Sequence, residues 1–314
     1  MTFPRVGDHS PDPDLENRPI RTDTGSVPIG AGFPGQRMLV LPRPRVREFL
    51  QQPGTSRIVV TDCGYFPRAE SHGRERRLPI GQGVVIVCTE GKGWCTTPTG
   101  TYPVAAGDTV ILPPGHPHSY GADSDEPWTL WWMHAAGPGL AEFLDAFEMT
   151  IRNPVRRSSN PFEVVALMSE IIRRMERDST TLSMLVAAGT AWHVLSLLAA
   201  DTASPDGTDE LIDQAAEYVR LHVDEPISVA ELASMARISV SHFGALFKKR
   251  VGAPVLQYHT QLRMARAREL LDTTHRSITT IASEVGYPDS FYFARQFKKI
   301  HGVTPRDYRA QHKG

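Results

Sequence analysis

The sequence predicts an α+β protein of more than one domain, with a β-rich sandwich or barrel ahead of helices and an all-helical C-terminal third. Three observations predict it. Residues 37–135 carry short β-branched runs broken by Gly and Pro, among them Val84-Val-Ile-Val-Cys88 and Thr109-Val-Ile-Leu112. From Leu140 the apolar spacing becomes helical: Phe162, Val165, Ala166, Met168, Ile171, Ile172 and Met175 share one helix face, and an apolar helix covers Leu182 to Leu198. The last third repeats itself. Ser228-Val-Ala-Glu-Leu-Ala-Ser234 is echoed by Ser277-Ile-Thr-Thr-Ile-Ala-Ser283, Phe247-Lys-Lys249 by Phe297-Lys-Lys299, Gly252 by Gly302 and Tyr258 by Tyr308.

Taken in chain order, residues 1–35 are rich in Pro, Gly and Asp without an apolar segment. They read as a mobile arm and not a signal peptide. Residues 36–136 form the β domain, residues 137–200 a helical segment, and residues 201–209, Asp-Thr-Ala-Ser-Pro-Asp-Gly-Thr-Asp, a polar linker. Residues 210–314 form the helical domain. No apolar run is read as approaching the ~18 residues of a membrane helix. Cys63, Cys88 and Cys95 are odd in number and form no CxxC pair, which suits reduced thiols in the cytoplasm.

Each repeat reads as helix, tight turn, helix. Ser228 and Glu231 make a capping box, Arg237-Ile238-Ser239 is the turn, and Val240 to Val251 is the second helix, burying Phe243, Leu246 and Phe247. In the second copy Ile278, Ile281, Ala282 and Val285 face inward and Gly286 ends the first helix. Ser290 to His301 is its second helix, burying Phe293 and Phe297. Between the copies, Pro254 to Leu271 spans ~27 Å as a helix. Such a rod suits two reading helices about one DNA turn, ~34 Å, apart. Charge agrees: the chain is −1 overall, yet from Ala236 onward 14 Lys and Arg face 5 Asp and Glu. A basic end suits a polyanionic partner, double-stranded DNA.

The outward residues of the second helices are the candidate readers. In the first copy they are Ser241, His242, Gly244 and Ala245; in the second, Ser290, Phe291, Tyr292, Arg295 and Gln296. Arg295 suits guanine and Gln296 adenine. Lys248, Lys249, Lys298 and Lys299, with Arg250, suit phosphates.

Gly286-Tyr-Pro-Asp-Ser-Phe-Tyr-Phe-Ala-Arg-Gln-Phe-Lys-Lys299, Gly302-Val-Thr-Pro-Arg-Asp-Tyr-Arg309 and Arg263-Met-Ala-Arg-Ala-Arg-Glu-Leu-Leu271 resemble the AraC/XylS family of bacterial transcription regulators. Gly107 to Tyr120 and Pro127-Trp-Thr-Leu-Trp-Trp-Met-His134 resemble its sugar-sensing, arabinose-regulator-like branch. The resemblance implies a cupin-like effector-binding β-barrel, helices over 137–200 that dimerise, and a double helix-turn-helix reader, usually an activator, beside RNA polymerase. Where the family often has a long polar reader, this chain has Gly244-Ala245. Sugar recognition asks for planar hydrogen-bonding groups and an aromatic face. The effector candidates are Arg76 or Arg77, His118, Tyr120, Trp128 and Trp132, with core packing for the tryptophans and surface charge for Arg77 as the alternative.

The rival class is a metal-dependent cupin enzyme. Gly107 to His118 fits one half of a cupin metal signature, but residues 78–100 contain no His to complete a ligand set. No nucleophile with a base and orienting acid is recognisable. The expectation is no enzyme, metal or cofactor, and no membrane. A third class is a constitutive DNA binder with a purely structural N-terminal half.

Overall fold

The computed structural model describes residues 28–200 and 207–312. Most of the predicted arm and linker, residues 1–27 and 201–206, lie outside the described residues. The chain divides into two compact units, Met1–Ser158 with Leu167–Thr202, and Ser159–Ala166 with Ala203–Gly314.

In the first unit the strands form two sheets rather than one closed barrel. One has six strands in the order β1 (Arg37–Val40), β2 (Val59–Phe66), β9 (Thr129–Ala136), β4 (Gly83–Glu90), β7 (Asp108–Leu112) and β10 (Val155–Arg157). The other has four, β3 (Gly73–Arg76), β8 (His118–Ala122), β5 (Lys92–Thr97) and β6 (Gly100–Ala105). Every strand pair is antiparallel. Val84, Ile86 and Cys88 of β4 with Leu130 and Trp132 of β9 meet Cys95, Val104 and Tyr120 of the opposite sheet in one core. The alternate residues of β9, Trp131, Met133 and Ala135, are also buried. This strand is covered on both faces, as its unbroken apolar run requires.

Helix α1 (Arg43–Phe49) lies between β1 and β2, and α2 (Pro138–Ala146) follows β9. Helices α3 (Pro161–Arg177) and α4 (Thr181–Ala200) complete the N-terminal half. α4 corrects the expectation about apolar runs. Its twenty residues carry no charged side chain, and by length and composition the helix could cross a membrane. It packs on β2, burying Met184, Ala187, Ala188, Ala191, Val194, Leu195 and Leu198. The Cys63 thiol meets the Met175 sulfur at 3.6 Å.

The end of the predicted arm is also different from expectation. Ile29 bridges to His72, and Phe33 is buried against Phe66 at 5.0 Å between ring centroids. The described end of the arm therefore packs on the sandwich through Phe33, which joins its core with Ala31 against it, while Ile29, Gly32, Pro34 and Gly35 stay exposed.

The second unit is helical: α5 (Thr208–Leu221), α6 (Val229–Met235), α7 (Val240–Val251), α8 (Val255–Thr273), α9 (Ile278–Glu284), α10 (Ser290–His301) and α11 (Pro305–His312). α5 opens two residues inside the stretch read as linker. The bounds of α7 and α10 are those the repeat predicts, because local chemistry sets them. Ser239 Oγ accepts from the His242 amide, and Asp289 Oδ1 from those of Phe291 and Tyr292. Gly252 and Gly302 end the helices at φ 88° and 81°, left-handed positions that suit glycine.

Candidate functional site

The two helix-turn-helix copies are built alike. Ser228 caps α6 by accepting from the Glu231 amide, and Ser277 caps α9 by accepting from the Thr280 amide. Phe243 and Phe247 of α7, and Phe293 and Phe297 of α10, are fully buried. Each second phenylalanine meets a tyrosine edge-on: Tyr258 on Phe247 at 5.9 Å and Tyr308 on Phe297 at 5.7 Å. Along residues 241–250 and 291–300 the order of buried, half-buried and exposed positions is the same. α8 packs against α5, α7, α9, α10 and α11, so both copies are mounted on it.

Sequence reasoning missed what holds the spine in place. The Arg263 guanidinium, on α8, donates to the carbonyls of Val223 at 2.7 Å, Glu225 at 2.9 Å and Gly286 at 3.2 Å. It also lies 5.1 Å from the centre of the Tyr287 ring. Arg263 thus ties the loop after α5 to the turn of the second copy. No periodicity marks it, since an arginine among three on one helix reads as surface charge.

Of the candidate readers, Ser241, His242, Ala245, Tyr292 and Arg295 are exposed, and Gly244, Ser290 and Gln296 are half-buried. Ala245 and Arg295 occupy equivalent positions fifty residues apart, so the first copy offers a methyl where the second offers a guanidinium. The Arg295 guanidinium sits 5.7 Å from the Tyr292 ring centre, which restrains it without a carboxylate partner. Phe291, outward-facing but outside the set of polar readers, is 80% exposed at the start of α10. An aromatic so placed suits a thymine methyl.

Lys248, Lys249, Lys298 and Lys299 are exposed on the last turns of α7 and α10. Arg250 is not available in the same way. Its Nε and Nη2 donate to both oxygens of Asp213 on α5, at 2.7 and 2.5 Å, which is a bidentate pair. Lys299→Ala should lower the salt slope of DNA binding by about one, while Arg250→Ala should change it less. Affinity measured from low to high salt checks both, and equal slopes for the two variants would remove Lys299 from the phosphate contacts.

In the first unit a small cavity lies between the sheets, about 50 Å³. Arg74 and Arg76 of β3, Tyr120 of β8, and Trp132 and His134 of β9 line it, with Phe66, His72 and Gly30 at one side. The Arg74 guanidinium donates to the Gly30 carbonyl at 3.2 Å. Burial pushes the His72 imidazole down to about 3, helped by the Arg74 charge, so it is neutral at pH 7. Burial likewise keeps His134 neutral, against the pull of Asp62 3.3 Å away. Asp62 stays ionised: burial opposes it, but bonds to His134 and Thr61 and the charge of Arg43 bring its carboxyl below the usual range.

Arg76, Tyr120 and Trp132 are thus brought together. Arg77, His118 and Trp128 are not part of that cavity. Arg77 is exposed and pairs with Glu75 at 2.8 Å, because it lies one residue past β3 and points away from Arg76. His118 is buried and stacks on Tyr120 at 6.1 Å, and with Arg76 and Arg77 it borders a second, more open depression beside Thr96 and Pro98. Its Nδ1 faces the His116 carbonyl at 2.9 Å, so Nδ1 carries the proton. Trp128 packs in the core, the alternative that the sequence leaves open for it. It is fully buried against Gly93, and its Nε1 donates to His72 Nδ1 at 3.2 Å. His72, Arg74 and His134 are lining residues that the sequence reading did not select. Arg74 was within reach, since it alternates with Arg76. Among the described residues no group of three or more His, Cys, Asp or Glu is placed to hold a metal ion.

Comparison with known proteins matches both units. A model described as an AraC-like ligand binding domain matches residues 61–188, and one described as a helix-turn-helix domain matches residues 232–311. The MmsAB operon regulatory protein of Pseudomonas aeruginosa is 28% identical over 275 residues, covering 86% of this chain and 89% of that protein. The raffinose operon transcriptional regulatory protein of Pediococcus pentosaceus is 27% identical, covering 72% of this chain and 84% of that protein. The arabinose operon regulatory protein of Escherichia coli is 25% identical, covering 73% of this chain and 77% of that protein.

Proposed function

The chain belongs to the AraC family of transcription regulators, and from that premise we propose that it is an effector-controlled activator that reads DNA chiefly through Arg295 and Gln296. The duplicated unit carries this reading: two copies with matching caps, matching burial and exposed basic ends share one spine. The second copy supplies most of the direct base readout, with Phe291 against a thymine methyl. The first copy, with Ser241, His242, Gly244 and Ala245, relies more on DNA shape. Lys248, Lys249, Lys298 and Lys299 set the register on phosphates, and Ser290 and Tyr292 border the contact.

The effector is a small polyhydroxylated molecule held in the cavity beside Arg76, Tyr120 and Trp132. The names of the raffinose and arabinose relatives support that class. Two copies of the chain pair through α3 and α4, whose Leu182 and Leu185 are exposed. Effector binding changes how the paired readers meet two half-sites, by favouring one arrangement over the other. RNA polymerase is the partner of the bound activator, and the cytoplasm is where it works. Regulation is the role of all the relatives named above, which supports a non-enzymatic protein.

Selection of bound duplexes from a random pool, with and without candidate sugars, tests the reading. A recovered pair of half-sites whose enrichment changes with a sugar is the expected outcome. Arg295→Ala should cost about 1–3 kcal/mol at one base pair and relax the preference there. Equal loss on selected and random duplexes would show that Arg295 does not read a base.

A further inference from the structure

We propose that α10 reads the C5 methyl of a pyrimidine in the base pair beside the guanine taken by Arg295, and therefore accepts 5-methylcytosine where it accepts thymine. The inference rests on Arg295 being a base reader and names what its neighbour Phe291 recognises. Phe291 is 80% exposed on the first turn of α10, more than any other large apolar side chain among the described residues. Packing within the protein leaves that ring in water, on the reading face of the helix. An aromatic surface so placed gains by being covered. A phenyl ring has no hydrogen-bond donor or acceptor, so the polar edges of the bases offer it nothing. The apolar group that the major groove presents is the methyl on C5 of thymine. 5-Methylcytosine carries the same methyl on the same carbon. It differs in its polar edge, an amino donor where thymine has a carbonyl acceptor, and Phe291 is blind to that difference.

The placing of Arg295 sets the two contacts one base pair apart. Phe291 and Arg295 are four residues apart and so neighbours on one helix face, with Cβ atoms about 5–6 Å apart. Long side chains in a helix lean toward its N-terminus. Arg295 does so: its guanidinium lies 5.7 Å from the centre of the Tyr292 ring, one turn back. Tyr292 is held in turn by Tyr287, at 5.9 Å between ring centroids. The lean carries the guanidinium toward the turn that bears Phe291, and narrows the spacing toward the ~3.4 Å between successive base pairs. α10 carries no carboxylate to oppose the duplex, and the Asp289 side chain before it is occupied by the capping amides. The equivalent positions of α7 hold Ser241, His242 and Ala245. The first copy therefore has no such pair, and methyl reading belongs to the segment under the second copy.

The test uses the full chain and a duplex recovered from a random pool, in which the loss of preference in Arg295→Ala locates the guanine. Each base pair flanking that guanine is then made with thymine, uracil, cytosine or 5-methylcytosine, and affinity is measured by fluorescence anisotropy at one salt concentration. At one flank thymine should bind more tightly than uracil, and 5-methylcytosine more tightly than cytosine, each by about fourfold, the worth of one buried methyl. Phe291→Ala should erase both differences and keep the guanine preference, and Phe291→Leu should keep part of them. Thermal melts of the same variants report folding. Uracil binding as well as thymine at both flanks, or cytosine as well as 5-methylcytosine, overturns the methyl contact and leaves Arg295 a base reader. Methyl preferences that survive in a folded Phe291→Ala overturn the assignment to Phe291. If Arg295→Ala relaxes the preference at no base pair, the proposal falls together with the reading it rests on.

Discussion

Replacing Arg263 by methionine is expected to destabilise the DNA-binding unit by about 3 kcal/mol. The side chain makes three hydrogen bonds from a charged donor to backbone carbonyls. Such bonds contribute roughly 1.5–3 kcal/mol each; the residue is half-buried, so water recovers part of the loss. Methionine keeps most of the aliphatic packing and supplies none of the donors. It also abandons the stacking on Tyr287. The carbonyls released belong to the loop after α5 and to Gly286, whose φ of 79° sits in the turn of the second copy. Both neighbours of α8 therefore loosen together, and the presentation of α10 to DNA degrades before the unit unfolds. All five tryptophans lie at or before residue 192. Urea unfolding followed by tryptophan fluorescence should be unchanged, while the helical circular dichroism signal should lose stability. Wild-type stability in both signals would show that the guanidinium does not hold the spine.

The second large effect is expected in the other unit. Trp128→Ala should cost about 3–5 kcal/mol, the range for removing a buried aromatic from a packed core. The indole is fully buried between the sheets, and its loss also strips His72 Nδ1 of its donor. Here the tryptophan-monitored transition should shift and the DNA-binding helices should not. Trp132→Phe makes the contrast. It keeps most of the ring area and removes an N–H that has no partner among the described residues, so the stability cost should stay below about 1.5 kcal/mol. The effector response, however, should fall. Should Trp128→Ala fold like the wild type while abolishing the response, Trp128 would return to the ligand site and the core assignment would fail.

The contrast between those tryptophans shows where sequence legibility stops. Trp128 and Trp132 are four residues apart around β9, and each could be core or pocket by composition. Only the pairing of β9 with β2 and β4 aims Trp132 between the sheets, opposite Ile86 and Gly64. Arg76 and Arg77 differ for the same reason. The register Arg76↔His118 aims one inward, and the end of β3 frees the other for Glu75. The signal in a four-residue strand is too short to phase without its partner. Phe33 reads as part of a polar arm because its partners Phe66 and His72 are 33 and 39 residues away. Leu182 to Leu198 reads as an apolar helix, and it is the absence of charge along all of α4, Thr181–Ala200, that makes it long and apolar enough to cross a membrane by composition.

By itself the sequence determined the duplicated DNA-binding half, down to the first and last residues of α7 and α10. Caps, left-handed glycines and the buried phenylalanine pairs act within one or two helical turns, so the information lies in short stretches and appears twice. The tertiary structure alone decided which polar residues of the β half share a cavity and which arginine locks the spine. Those outcomes depend on strands and loops that meet across tens of residues, where neither periodicity nor capping carries any record of the partner.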